Sequence, residues 1–146
     1  MKKVIVALAV TLVLPLIAVA QTVPNSTLTP GKVRVLSTAR VCSIKWGVDR
    51  RHVTEAMKRH VAKAYGVPWS QHARYEFDHL ISRELAGADD EANLWPQPWT
   101  WARKKDRLEN RLHVLVCSGK LSLPTAQREI ATDWPAAYRK YVGVLK

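Results

Sequence analysis

The chain has 146 residues, of which 23 are lysine or arginine and 12 are aspartate or glutamate, giving a formal net charge of +11 at pH 7. This length is enough for one small domain, and the two cysteines exclude a four-thiolate zinc site. The positive charge favours a polyanionic partner, either nucleic acid or an anionic envelope surface, although a basic exported protein without such a partner has the same composition.

The first twenty residues have the pattern of a secretory signal peptide. Lys2-Lys3 are followed by an apolar run from 4 to 19, and Ala18-Val19-Ala20 offers small residues for cleavage. A membrane anchor is the alternative, but Pro15 interrupts a run that is already short for a span. We therefore expect cleavage after Ala20, a periplasmic or secreted protein and no membrane anchor after cleavage. Without the two signal lysines, 21 basic residues remain against 12 acidic ones, a net charge of +9.

The mature chain is expected to form a flexible leader at 21–31 and one domain at 32–146. The leader is rich in threonine, proline, serine and asparagine, which is typical of loosely ordered segments. Weak alternation of valines predicts a short strand within 32–44. A helical period predicts a helix over about 50–65 with Asp49 as its N-cap.

The C-terminal part is expected to hold one strand and three helices. Pro96 and Pro98 are expected to break the chain ahead of the longest helix. Trp101, Leu108, Leu112 and Leu115 mark the side of that helix that we expect to be buried. The predicted ranges are 74–81 for the strand, and 100–116, 124–133 and 136–142 for the helices.

The two cysteines, Cys42 and Cys117, favour a disulfide over a metal site, because the signal peptide implies export to an oxidising compartment. The bond would join the N-terminal segment to the end of the long helix. For a closed loop of this length, the chain-entropy model gives about 4 kcal/mol of stabilisation.

An adjacent pair, Asp78-His79, lies within the apolar run 75–81, and fourteen residues after the histidine comes Asn93. Hydrolysis of a phosphodiester requires a base that deprotonates water and a positive charge that offsets the charge of the phosphate. A neutral histidine suits the first task, and a hard divalent cation held by carboxylates suits the second. Alternation sends Asp78 and His79 to opposite faces of a regular strand, so a bulge or twist is needed to bring both to one phosphate.

These residues, Asp78-His79, Gly87, Asn93-Leu94 and a following helix with Lys105, resemble the HNH, or ββα-metal, nucleases. The resemblance covers residues 75–113, roughly a third of the mature chain, and its wider motifs are similar to small exported bacterial HNH-like proteins. It implies an α+β fold, mostly helical overall, in which a ββα-metal core is flanked by helices and the chain carries one disulfide.

The resemblance also implies roles for individual residues. His79 would be the general base, and Asn93 would brace the hairpin and orient that base. Apart from the resemblance, Lys105 on the helix could contact the scissile phosphate. Asp78 would be a metal ligand. Many HNH proteins carry a second ligand where this chain has Ala102.

Asp106, one helical turn after Ala102, is the expected replacement for the missing ligand, because a one-turn step keeps a side chain on the same helix face. A site made by Asp78 and Asp106 offers oxygen ligands only. It therefore favours Mg²⁺ or Mn²⁺ over Zn²⁺.

Each of these residues also has a structural interpretation. His79 could be a core histidine with its hydrogen bonds satisfied, Lys105 a surface lysine, and Asp106 a partner of neighbouring arginines on a solvated face. Structural roles are favoured for the remaining residues considered. These are Glu109 and His113, farther along the helix, and the tryptophans Trp95, Trp99 and Trp101, which could otherwise stack on bases.

We expect the basic side chains near the Asp-His pair to bind nucleic-acid phosphates without reading bases. The sequence therefore favours a monomeric, exported, metal-dependent endonuclease of DNA or RNA with little sequence specificity, and leaves open whether an inhibitor protein protects its host. One alternative is a non-catalytic nucleic-acid-binding protein on a degenerate scaffold. The other is an envelope hydrolase using carboxylates such as Glu76 and Glu84 on a glycan. The basic residues near the Asp-His pair that we expect to bind phosphates are Arg74, Arg83, Arg103 and Lys104.

Overall fold

An antiparallel hairpin of two strands carries the Asp-His pair. The computed structural model describes residues 22–45 and 48–145, so the predicted signal peptide at 1–20 lies outside the described residues. Strand β1 (Tyr75–His79) pairs with strand β2 (Leu94–Pro98), and His79 lies opposite Leu94. The fold is of mixed helix and strand, as expected. Strand β1 is shorter than its predicted range, 74–81, by one residue at the start and by two at the end.

Helices surround this hairpin. In the described ranges, no helix is both long and apolar enough to span a membrane. The α-helices are α1 (Thr38–Ser43), α2 (Glu55–Ala64), α3 (Trp99–Cys117) and α4 (Leu123–Tyr141), and short 3-10 turns cover Trp69–Arg74, Arg83–Leu85 and Glu91–Asn93.

The two prolines expected to break the chain instead lie inside β2. Pro96 pairs with Phe77 and Pro98 with Tyr75. The bond from the Leu80 N–H to the carbonyl of Asn93 sets the alternation of the ladder. By this alternation, Pro96 and Pro98 lie in pairs that exchange no backbone hydrogen bonds. Their lack of an N–H group therefore removes no hydrogen bond from the hairpin.

Helix α3 buries one face against α4 and the hairpin. Leu108, Leu112 and Val116 recur at four-residue spacing and are fully or almost fully buried, together with Ile130 and Trp134 of α4. The helix begins and ends within one residue of its predicted range. Its buried side is rotated slightly from the expected one, because Val116 rather than Leu115 is buried.

Helix α2 starts five residues later than expected, and Asp49 is not its N-cap. Thr54 caps the helix, with its side chain accepting from the Met57 N–H at 3.2 Å. The Asp49 carboxylate instead lies 3.0 Å from Arg34 and 2.9 Å from Arg83. Two arginines outcompete a backbone N–H for this carboxylate because both bonds are charge-assisted.

The prediction of a strand within 32–44 is wrong. Val33 makes only an isolated bridge to Gly87, and residues Thr38–Ser43 form α1 instead. Ser37 caps this helix by accepting from the Arg40 N–H at 3.2 Å. A local N-cap thus decides the structure where the alternation of valines was weak.

The leader expected to be flexible makes specific bonds to the domain. Thr29 is only 1% exposed, and its hydroxyl donates to the carbonyl of Leu94 at 2.8 Å and lies 2.7 Å from the Tyr65 hydroxyl. The Trp134 indole donates to the carbonyl of Thr22 at 2.8 Å. Polar composition suggested a solvated segment, but these polar groups find partners in the fold.

The predicted disulfide is present. Cys42 of α1 and Cys117 at the end of α3 are bonded, with their Cα atoms 5.6 Å apart. The predicted division of the last helix is also visible, because Asp133 has non-helical torsions (φ −158°, ψ 84°) inside α4. Its carboxylate accepts from the Ala136 N–H at 2.9 Å and so begins the second part of the helix.

Candidate functional site

The loop between the two strands is closed by one buried asparagine. Asn93 is fully buried, and its side-chain oxygen accepts from the Ile81 N–H at 2.9 Å. Its amide donates to the carbonyls of Ile81 at 3.0 Å and Ala88 at 3.1 Å. These bonds tie both ends of the loop together directly after His79, which fixes the backbone that carries the imidazole.

A glycine allows the same loop to fold tightly. A Cβ atom on Gly87 would lie 1.8 Å from the carbonyl oxygen of Ile81 and 2.8 Å from that of Ser82. Backbone atoms cannot yield as a flexible side chain would, so no larger residue fits at this position.

The imidazole of His79 is held by an aspartate that the sequence did not identify. Its Nε2 lies 2.7 Å from Oδ1 of Asp89, and the residue is only 5% exposed. Burial lowers the pKa of His79, with help from Arg51 and against the charges of Asp78 and Asp89, so the ring is neutral at neutral pH. Because a carboxylate oxygen accepts, the proton of the neutral ring resides on Nε2, and Nδ1 is the acceptor nitrogen.

Asp89 is itself fixed in place. It accepts from the His52 N–H at 2.6 Å and lies 3.6 Å from the Arg83 side chain. Burial acts to raise the pKa of Asp89, but these contacts and the bond to His79 outweigh it and lower the pKa. Asp89 therefore stays ionised and orients the ring. The available sequence signal was an acidic residue ten positions after the histidine, in a loop whose path could not be derived.

Lys105 is completely buried, so the interpretation as a surface lysine is wrong. Its ammonium donates to Oδ2 of Asp78 at 2.8 Å, to the carbonyl of His79 at 2.5 Å and to Glu109. Burial acts to lower the pKa of Lys105, but the two carboxylates outweigh it and raise the pKa. The lysine is therefore a permanent cation at the junction of β1 and α3.

Four carboxylates surround that cation: Glu76, Asp78, Asp106 and Glu109. Burial, followed by the charge of Asp78, raises the pKa of Glu76 and of Asp106. Burial also raises the pKa of Glu109, against the opposing effect of Lys105. Asp106 makes no salt bridge with a described residue, so the expected pairing with neighbouring arginines is not seen. Lys105 and Arg51 are both cations that act to lower the pKa of Glu76, against the effect of its burial.

These acidic side chains do not form a tight three-ligand cage. Across the described ranges, the one group of three metal-ligating side chains with all ligand atoms within 4.8 Å of one another is Cys42, His113 and Cys117. A Mg²⁺ ion keeps several waters and needs one or two protein carboxylates, so Asp78 and Asp106 fit it chemically. Ala102 is buried in the core and offers no ligand atom.

The predicted phosphate-binding residues differ in their availability. Arg74 and Arg103 are exposed, and the Lys104 ammonium lies 4.3 Å from the ring centre of Trp101. Arg83 is not free for a phosphate, because it is mostly buried and donates to the carbonyls of Asp49 and Arg50, both at 2.6 Å. The donors of its guanidinium group bind the segment before α2.

The remaining candidates lie elsewhere in the fold. Trp95 is fully buried, as the packing interpretation expects, whereas Trp99 is 52% exposed. Glu84 lines a cavity together with His113, whereas Glu76 lies on β1 and does not line that cavity.

Comparison with protein-family models, with curated proteins and with solved structures finds no match for this chain.

Proposed function

We propose that this protein is an exported, metal-dependent endonuclease that hydrolyses phosphodiester bonds of DNA or RNA with little sequence preference, on a ββα-metal scaffold made by β1, β2 and α3. The observation that carries the proposal is the proximity of two carboxylates from different elements. Lys105, the neighbour of Asp106 on α3, bonds Oδ2 of Asp78 on β1 at 2.8 Å, so this part of the helix lies against the strand, and the charge of Asp78 helps to raise the pKa of Asp106. Carboxylates placed in mutual repulsion are stabilised by a cation between them.

The oxygen atoms at this place support a divalent ion. Of the two oxygens of Asp78, Lys105 bonds only Oδ2, and burial together with the charge of Asp78 raises the pKa of Asp106. Oδ1 of Asp78 and the carboxylate of Asp106 remain as oxygen ligands, which Mg²⁺ and Mn²⁺ prefer. When bound, the cation offsets the negative charge on the phosphate and on the leaving oxygen.

His79 supplies the base in this proposal. Its lowered pKa keeps the ring neutral, and the bond from Nε2 to Asp89 leaves Nδ1 to accept a proton from the attacking water. The water oxygen bonds to phosphorus, the bond from phosphorus to the leaving oxygen breaks, and that oxygen takes up a proton from solvent. The exposed Arg74 and Arg103 would bind flanking phosphates in a salt-sensitive manner.

Two features support an exported protein. The disulfide between Cys42 and Cys117 is of a kind that persists in oxidising compartments. The signal pattern of residues 1–20 is the second feature, and it supports a mature chain in the periplasm or outside the cell.

A second function, nucleic-acid binding without catalysis, is favoured by the burial of Lys105 and His79. The Lys105 ammonium already bonds Asp78, so the protein carries its own cation there. The ring of His79 has little contact with solvent. On this alternative the charges stabilise the hairpin, and only the surface arginines and lysines contact the ligand.

Cleavage of supercoiled plasmid separates the two functions. The purified, oxidised protein is incubated with Mg²⁺, Mn²⁺, Zn²⁺ or a chelator, and DNA binding is measured in parallel by gel shift. We expect cleavage with Mg²⁺ or Mn²⁺, at least a 100-fold slower reaction for His79→Ala, and a higher metal requirement for Asp106→Asn. His60→Ala is the matched control, because His60 is exposed and lies outside the site.

Each alternative outcome has a defined meaning. Cleavage that survives in the chelator removes the metal from the proposal. Equal rates for the native protein and His79→Ala remove the base. Absence of cleavage with every ion, together with an unchanged gel shift in both variants, selects the binding protein instead.

A further inference from the structure

A histidine lies beside the disulfide, on the far part of α3 from Lys105. His113 precedes Cys117 by one helical turn, and its Nε2 is 3.4 Å from the Cys117 sulfur. Cys42 and Cys117 are both exposed residues, and the three ligand atoms lie within 4.8 Å of one another. We propose that the thiol form of Cys42 and Cys117, together with His113, binds one Zn²⁺ ion, and that the disulfide closes this site.

The spacing of the three side chains fits a tetrahedral zinc ion. Zn–S bonds of about 2.3 Å and Zn–N bonds of about 2.05 Å place two such ligands about 3.5 Å apart and two sulfurs about 3.8 Å apart. The observed distance from Cys117 to His113 is already 3.4 Å. The sulfurs must move apart to this separation once their bond is broken, and rotation of the two side chains on Cα atoms 5.6 Å apart is the motion that would achieve it.

The ligand set selects the metal. Two thiolates and an imidazole favour zinc, whereas the acidic cluster around Lys105 offers only oxygen, so the two places discriminate between metals. Three protein ligands leave the fourth tetrahedral position for water. His113 also lines a cavity of about 400 Å³ together with Asn110 and Glu84. A buried oxygen of Glu84 has no hydrogen-bond partner among the described residues.

The two forms exclude each other chemically. A dithiol that reduces the disulfide gives it two electrons and two protons and itself becomes a disulfide. Zinc then replaces the two thiol protons, which pass to water. The chain is synthesised with free thiols, so the zinc form requires no reductant before oxidation. Bound zinc holds the sulfurs as thiolates in coordination and therefore slows formation of the disulfide.

Zinc titration of the two redox forms tests this inference. A phosphine reduces the protein, taking its oxygen from water to become a phosphine oxide while the sulfurs gain two electrons and two protons. Zn²⁺ is then titrated in competition with a chromophoric chelator, and Co²⁺ is used as a spectroscopic substitute. We expect one zinc per reduced chain, a thiolate-to-cobalt charge-transfer band, and no binding of comparable strength by the oxidised protein.

Variants show whether the folded site is responsible. His113→Ala should weaken zinc binding by the reduced protein at least 10-fold, whereas His60→Ala should leave it unchanged. Circular dichroism is recorded alongside, because thiols in an unfolded chain also bind zinc. Such binding would not distinguish His113 from His60, so equal affinity of the two variants overturns the inference. Equal binding by the oxidised and reduced forms of the native protein overturns it as well.

Discussion

Removal of the Asn93 side chain should destabilise the whole domain. Asn93→Ala deletes three hydrogen bonds and leaves the N–H and the carbonyl of Ile81 without partners in a buried place. Each buried group that loses its partner costs about 1–3 kcal/mol. Allowing for a water that enters the vacated space, we expect the free energy of unfolding to fall by about 3–5 kcal/mol, a large fraction of the stability of a typical small domain.

Urea unfolding followed by circular dichroism measures this change. Asn110→Ala is the matched control, because Asn110 is an exposed asparagine whose one side-chain bond goes to the carbonyl of Asp106 at 3.0 Å. The control should lose about 0.5 kcal/mol or less. The denaturant slope should stay the same in both variants, since both unfold the same surface.

A loss below about 1 kcal/mol for Asn93→Ala would refute the reasoning, because such a value is that of a single solvent-exposed hydrogen bond. The two variants differ in burial and in bond number but not in chemistry. Equal losses would therefore show that the bonds of Asn93 do not hold the loop behind His79.

Three further predictions concern the same region. Lys105→Met should lower the free energy of unfolding by about 3 kcal/mol or more at pH 7 and by clearly less near pH 4, where the carboxylates become protonated; urea unfolding with equal losses at both pH values would contradict it. Because burial lowers the folded-state pKa of His79, the unfolded chain binds more protons just below pH 6.5. Stability should therefore fall as the pH falls through that range, and the slope of stability against pH should be smaller in His79→Gln. The same change of thermal midpoint between pH 7.5 and 5 in both proteins would argue against this. Gly87→Ala should cost about 2 kcal/mol or more, since its Cβ would lie 1.8 Å from a backbone oxygen, and a midpoint unchanged in urea would show that the loop yields easily.

The elements with strong local signals were predictable from the sequence. Helix α3 combines apolar residues at four-residue spacing with a proline just before its start, and its range was predicted to within one residue. The Asp78-His79 strand and the Cys42–Cys117 bond also follow from patterns that depend on few distant contacts. The break at Asp133 follows from Pro135, which cannot continue a helix without loss of a hydrogen bond.

Errors arose where a distant partner decided the outcome. Asp49 had the chemistry of an N-cap, but Arg34 and Arg83 approach it from other segments. Thr29 belonged to a polar stretch, yet its hydroxyl meets the carbonyl of Leu94, sixty-five positions away. Local propensity reflects the hydrogen-bonding groups that a residue carries, whereas the partners within reach of those groups depend on the path of the whole chain.

The burial of Lys105 could not be derived for the same reason, and it bears most directly on function. Apolar residues that replace all members of a buried ion-pair cluster are often at least as stabilising as the cluster, so stability alone gives no reason for Lys105 together with its carboxylates. The lysine bonds Asp78 and Glu109, while Asp106 makes no salt bridge with a described residue. On the proposed function, the carboxylates beside the lysine are the place for a further cation. A metal that binds there should lower the raised pKa of Asp106, so the affinity for the metal should fall as the pH falls through the range in which Asp106 is protonated.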